Sequence, residues 1–233
     1  MNLTSTEVTR YLETLKPLVE PLTACDLFVL PPFTAIWAAR ESLRGTRVAW
    51  GAQDVHHEPS GAHTGDVSAL MLADLGCTFV EVGHSERRRD HGETDEAIGL
   101  KVKTVLDHGM TPILCVGEPA RCALEDAVAH VARQLRIGLR CVGTDRLARV
   151  VIAYEPVWAI GAGATAADPG HVEAMHAAIS STLDAAGSRV IYGGSVDPDT
   201  AVSLLDRGHV DGLFVGRSAL DPTVFAAIAR AAR

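Results

Sequence analysis

Hydrophobic and polar positions follow two periods along this chain. Short, mostly apolar runs recur at Asp26–Leu30, Arg47–Gly51, Thr78–Val82, Pro112–Val116, Val150–Tyr154, Arg189–Tyr192 and Gly212–Val215, as expected of strands covered on both faces. Between them lie longer segments such as Asp95–Asp107 and His171–Ala185, whose apolar spacing fits helices laid against those strands. This alternation predicts an α/β fold of βαβ units around a parallel sheet. No Ser/Gly-rich linker, composition shift or low-complexity tract interrupts it, so residues 1–233 are expected to form a single domain. Periodicity alone leaves a closed barrel and an open doubly wound sheet equally open. In a barrel, the chemistry belongs on the loops that leave the C-terminal ends of the strands.

Composition narrows the function. A hydrophobic fraction of 47% and a charged fraction of 21% are those of an ordinary globule able to bury a large core. The formal net charge of -8 argues against a nucleic-acid surface, which needs clustered Lys and Arg. The five cysteines are scattered, with no Cys-x-x-Cys or metal-like Cys/His spacing, and read as reduced thiols. Residues Met1–Glu7 lack a basic start followed by an apolar run, and no apolar stretch approaches about 18 residues. A cytoplasmic protein without a membrane or nucleic-acid partner is the expectation.

Four strand ends carry candidate chemistry. The third leads into Val82-Gly83-His84-Ser85-Glu86-Arg87-Arg88. A His at a helix N-terminus meets the positive end of the helix dipole, which disfavours imidazolium and leaves a neutral donor. The fifth ends in Glu155 and continues as Pro156-Val157-Trp158-Ala159-Ile160-Gly161-Ala162-Gly163-Ala164-Thr165. A loop with closely spaced glycines can hinge over a carboxylate, exclude water and raise its basicity. The sixth and seventh strands end in Tyr192-Gly193-Gly194-Ser195-Val196 and Val215-Gly216-Arg217-Ser218, where free backbone N–H groups can cradle an anion. Taken singly, these features also read as a cap, an ion-pair partner and tight turns. Their combination points to proton abstraction from a phosphorylated substrate.

The segments Gly83–Arg88, Tyr154–Gly161 and Tyr192–Val196 resemble, in order, three signature segments of the triosephosphate isomerase family. Pro31–Thr34, Gly51–Gln53, Gly61–Gly65, Cys115–Glu118 and Asp211–Gly216 extend the likeness over nearly the whole chain. The resemblance implies a (β/α)8 TIM barrel and interconversion of dihydroxyacetone phosphate and glyceraldehyde 3-phosphate, the glycolytic and gluconeogenic step, with no metal or organic cofactor. It implies Glu155 as base and a neutral His84 as electrophile, the division of labour known for this family, with Glu86 organising the site. Gly161, Gly193, Gly194, Ser195, Gly216 and Arg217 are implied as the phosphate grip and Pro156–Thr165 as the lid. The Gly61–Gly65 loop, with His63 and Thr64, is implied to insert into a partner subunit of a homodimer.

The chain also departs from that family. Met1-Asn2 matches only the end of the family's initial Asn-x-Lys-Met-Asn segment, so the first strand and a catalytic lysine are absent as written, and a start further upstream is expected. Ala162 and Ala164 replace the usual lid Thr and Lys, Arg217 replaces a glycine, and His63 an aromatic residue. Arg217 reads either as a phosphate contact or as a surface residue. Glu93-Thr94, Gly99–Val102 and Asp211–Ala219 resemble a sister branch acting on four-carbon erythrulose phosphates. A tetrulose-phosphate isomerase and a non-catalytic phosphate-binding paralogue are therefore the alternatives.

Overall fold

The computed structural model describes residues 1–161, 163–183 and 187–232. Seven strands, β1 (Phe28–Val29), β2 (Ala49–Ala52), β3 (Phe79–Val82), β4 (Thr111–Val116), β5 (Val151–Tyr154), β6 (Val190–Tyr192) and β7 (Gly212–Leu213), form one sheet in sequential order. Every pairing is parallel. Each strand lies within a residue or two of its expected run. β1 and β7 are shorter than Asp26–Leu30 and Gly212–Val215, because each has a ladder partner on one side only.

Nine helices are present among the described residues: α1 (Ser5–Val19), α2 (Ile36–Leu43), α3 (Ala69–Asp74), α4 (Ser85–His91), α5 (Asp95–Asp107), α6 (Leu124–Gly138), α7 (Pro169–Thr182), α8 (Pro198–Leu205) and α9 (Pro222–Ala229). α5 matches its expected span. α7 begins two residues before His171, and the far end of the expected segment, Ala185, lies outside the described residues. Three helices start with the same device, an N-cap Asp followed by Pro at Asp168-Pro169, Asp197-Pro198 and Asp221-Pro222. The carboxylate accepts orphan N–H groups of the first turn, and the proline occupies a position whose own N–H needs no partner.

Strand alternation divides the interior into two cores. Val80, Val82, Leu114, Val116, Ile152, Tyr154, Val190 and Tyr192 face the helices. Ile113, Cys115, Ala153 and Ile191 point the other way, together with Phe28, Leu30, Phe79, Val151 and Phe214. This second cluster draws on strands from one end of the sheet to the other, so the sheet curls around it. The rings of Phe28 in β1 and Phe214 just beyond β7 come within 6.1 Å, and Arg189 reaches Asp26 at 2.9 Å. A curled parallel sheet gathers its C-terminal strand ends around one rim, and the candidate residues sit there.

Candidate active site

The turn after β3 is shaped by Gly83 and Arg88. Gly83 has φ 76°, in the region that favours glycine, and a Cβ there would press on Ile98 Cδ1 at 3.0 Å. Arg88 Nε donates to the Gly83 carbonyl at 2.7 Å and its Nη2 to the Cys115 carbonyl at 3.1 Å, tying the turn to β4. His84 then caps α4, its Nδ1 accepting the N–H of Glu86 at 3.2 Å. Because Nδ1 accepts, the proton of the neutral ring sits on Nε2. Burial depresses the His84 pKa, Arg89 adds to this, and only Glu86 opposes it among the nearby side chains. The expected neutral imidazole thus arises chiefly from desolvation. Glu86 itself is largely exposed; its carboxylate lies 3.8 Å from His84 Nδ1.

Glu155 follows β5, and its N–H donates to the Val116 carbonyl at 2.7 Å. Its carboxyl is 4% exposed, and Oε2 has no hydrogen-bond partner among the described residues. His84 Nε2 faces that oxygen at 3.7 Å. Burial, followed by the charge of Glu81, raises Glu155 well above the usual carboxylate range. Gly193 closes the pocket on the other side, where any Cβ would lie 2.7 Å from Glu155 Cγ. A neutral donor and an unsatisfied, strongly basic carboxylate therefore converge on one space at the rim, the pairing needed to move a proton from carbon while a carbonyl oxygen is polarised.

The segment after Glu155 is anchored at its start. Val157–Ala159 form a 3-10 turn. Trp158 Nε1 donates to Glu118 Oε1 at 2.6 Å, the Tyr154 hydroxyl reaches the same carboxylate at 3.1 Å, and the Arg121 guanidinium lies 3.9 Å above the Trp158 ring. Pro156 and Ala159 are buried, Ile160 and Ala164 half-buried, and Gly161, Gly163 and Thr165 exposed. Gly161 and Gly163 have φ 107° and 76°, which explains the glycines in this loop. Ala162 lies outside the described residues.

The expected phosphate grip divides into engaged and open groups. The Ser195 N–H and hydroxyl both donate to the Ala159 carbonyl, at 3.0 and 2.9 Å, and the Gly193 N–H donates to the Tyr154 carbonyl at 2.8 Å. Gly194, Gly216 and Arg217 present backbone N–H groups with no protein acceptor among the described residues. Gly194 must be glycine, because a Cβ would fall 2.0 Å from the Tyr192 hydroxyl. The Arg217 side chain, left open between two readings, donates to the carbonyl of Gly161 and so touches the loop.

His63 and Thr64 belong to a separate cluster on the loop after β2. The His63 ring stacks on His56 at 4.0 Å, and His56 stacks on His57 at 4.6 Å. His56 Nδ1 accepts the Glu58 N–H at 3.0 Å, so its neutral Nε2 carries the proton and faces Asp66 at 3.7 Å. That tautomer makes an imidazole–carboxylate pair and leaves Nε2 no lone pair for a metal.

Several residues near the rim escaped the sequence reading. Glu118, within a segment quoted above, anchors Trp158 and Tyr154. Glu81, a carboxylic acid in an otherwise apolar strand, points into the sheet's interior 3.7 Å from Cys115 Sγ. Lys101 is buried between Asp54 at 2.7 Å and Glu93 at 2.6 Å, with Arg87 bonded to the same two carboxylates. A lone charge inside an apolar pattern was the available signal for Glu81 and for Lys101.

Comparison with known proteins gives a consistent result. The triosephosphate isomerase family model matches residues 1–232. The triosephosphate isomerase of Symbiobacterium thermophilum is 44% identical over 100% of this chain and 93% of its own. That of Thermus thermophilus is 46% identical over 100% and 95%, and that of Roseiflexus sp. 50% over 85% and 81%. Among solved structures, triosephosphate isomerase from Bartonella henselae superposes with a TM-score of 0.85 at 31% identity, covering 99% of this chain and 94% of that one. The curled parallel sheet is accordingly that of a TIM barrel.

Proposed function

The chain belongs to the triosephosphate isomerase family, and on that premise we propose that its rim interconverts dihydroxyacetone phosphate and glyceraldehyde 3-phosphate with Glu155 as the base. Glu155 takes the proton from the substrate carbon beside the carbonyl, and the Nε2–H of His84 donates to the carbonyl oxygen as negative charge develops there. The same imidazole moves a proton between the two enediolate oxygens, and Glu155 returns its proton to the neighbouring carbon. One observation carries this reading: the unsatisfied Oε2 of Glu155 faces the proton-bearing nitrogen of a neutral His84 across 3.7 Å.

The open N–H groups of Gly194, Gly216 and Arg217 take the phosphate, and those of Gly161 and Ser195 join them once the Pro156–Thr165 lid shifts and releases the Ala159 carbonyl. Gly193 leaves room for the base, and Glu86 holds His84 in its tautomer through its backbone N–H. Closure keeps water from the enediolate, which would otherwise eliminate phosphate. No metal or organic cofactor takes part. We assign the whole chain, residues 1–233, to one cytoplasmic TIM-barrel domain. The exposed Gly61–Gly65 loop, carrying His63 and Thr64, is its contact with a second copy, to be checked by light scattering of the wild type against His63→Asp.

A coupled assay with dihydroxyacetone phosphate and, separately, an erythrulose phosphate tests the activity. Turnover of the three-carbon substrate that falls by about 10³-fold or more in Glu155→Gln is expected. Equal or faster turnover of the four-carbon substrate would reassign the substrate, and phosphate binding without turnover of either would leave a binding module.

A further inference from the structure

Glu81 has no part in the scheme above, yet it stands beside the base. It occupies an inward-facing position of β3, two residues beyond Phe79 of the interior cluster and in register with Ile113 of β4, with Cys115 of that strand beside it. One terminal oxygen of Glu81, one of Glu155 and one ring nitrogen of His84 lie within 4.8 Å of one another. Both carboxyls are buried, at 8% and 4% exposure.

No cation neutralises either of them among the described residues. Arg87, on α4, is committed to Asp54 and Glu93. Arg88, on the same helix, is committed to Asp95 and to the carbonyls of Gly83 and Cys115. The other titratable groups acting on the pair are Asp54 beyond β2, Glu86 on α4 and the Cys115 thiol on β4. The two acids only add to the repulsion, and the thiol is itself held neutral by burial. Among the described residues, Glu81 Oε1 has one polar side-chain partner within reach, Cys115 Sγ at 3.7 Å. Two carboxylates this close in a dry interior cannot both ionise near neutrality.

We infer that Glu81 and Glu155 form a single buried carboxyl pair that holds one proton between them at neutral pH, which makes Glu81 a positioning residue for the base. With the proton on Glu81, Glu155 is the lone anion of the pocket and can accept a proton from carbon. Loss of that proton at higher pH places a second negative charge beside the site where the enediolate must form, and slows the reaction. Burial and mutual repulsion hold both acids above the ordinary carboxylate range, so the loss belongs to the pair and falls on the alkaline side.

The inference rests on Glu155 being the base, and two readouts on the full chain keep the two claims apart. Infrared titration of the protonated-carboxyl stretch counts the pair's protons without substrate; kcat/KM against pH reads the consequence. The wild type is expected to show a protonated carboxyl at pH 7 that disappears in an alkaline step, with kcat/KM falling about threefold or more through that step. In Glu81→Gln, and in Glu81→Leu should the amide destabilise the barrel, both the infrared step and the alkaline fall vanish. An alkaline step unchanged in both variants, or no protonated carboxyl in the wild type at pH 7, would overturn the pair. An infrared step that depends on Glu81 in a chain inactive toward triose phosphate would leave the pair standing and remove the isomerase reading instead.

Discussion

A single methyl group at Gly193 tests whether the placement of the Glu155 carboxyl limits the reaction. Gly193 is not among the glycines with positive φ, so alanine meets no backbone strain there. Its Cβ would stand 2.7 Å from Glu155 Cγ and 3.0 Å from Oε1, whereas ordinary contact begins near 3.4 Å. The side chain must therefore withdraw by about 0.7 Å. Withdrawal moves it against its other neighbours, because its carboxyl is buried beside Cys115 and Glu81. Misplacement of a reacting group on the order of 1 Å costs about 10²-fold. Gly193→Ala is thus expected to lower kcat by about 30- to 100-fold while leaving KM within about threefold, since the open N–H groups of Gly194, Gly216 and Arg217 are untouched. Overpacking should cost about 1–3 kcal/mol of stability, and thermal unfolding separates that loss from the kinetic one. Glu155→Asp withdraws the carboxylate by one methylene, so adding Gly193→Ala to it should cost much less than in the wild type, a coupling that a double-mutant cycle measures. A Gly193→Ala enzyme within about threefold of wild-type kcat would refute the reasoning.

Three further outcomes follow from the same geometry. Lys101→Met removes the cation from between Asp54 and Glu93 and leaves two buried carboxylates to share Arg87. A loss of about 3–5 kcal/mol is expected in chemical denaturation, and a loss under about 1 kcal/mol would mean that the cluster is well hydrated. Glu81→Leu should stabilise the protein at pH 8–9. Burial raises the folded-state pKa of Glu81 above its unfolded value, so its favourable contribution is complete below about pH 4.5 and disappears as pH rises through the folded pKa. The gain over wild type, on the order of 2 kcal/mol or more, should therefore vanish at pH 4, and a gain independent of pH would implicate packing alone. Trp158→Phe deletes the 2.6 Å bond to Glu118 and is expected to lower kcat/KM about tenfold, because a bond to a charged group contributes about 1.5–3 kcal/mol. Unchanged kinetics would show that the lid needs no such anchor.

The sequence carried the frame of this molecule further than the state of its site. Strand candidates stood out because parallel strands covered on both faces are apolar throughout, and each found its place in the sheet. Curling of the sheet was hidden, since a curled and an open sheet demand the same pattern; contact between Phe28 and Phe214 across its two ends reveals it. His84 and Glu155 could be located because a polar residue at the end of an apolar strand is conspicuous. What surrounds them comes from distant parts of the chain and has no local signature. Ser195 illustrates this: its glycine-flanked N–H reads as free, but its acceptor is the carbonyl of Ala159, 36 residues away.

Glu81 carries the same lesson into the chemistry. An acid within an apolar strand is an anomaly in sequence, but its meaning depends on which face it takes and what stands opposite. Facing the helices it would need a cation; facing inward, it meets the base of the reaction with none available. Desolvation alone raises the basicity of Glu155 but gives no control over when that basicity is usable. A second acid that shares one proton with Glu155 makes its ionised form accessible without placing two charges in the pocket, and links the alkaline limit of activity to a residue that never touches substrate. An alkaline fall in kcat/KM that disappears with Glu81 would therefore identify this link, since a merely structural residue would change the rate without moving its dependence on pH.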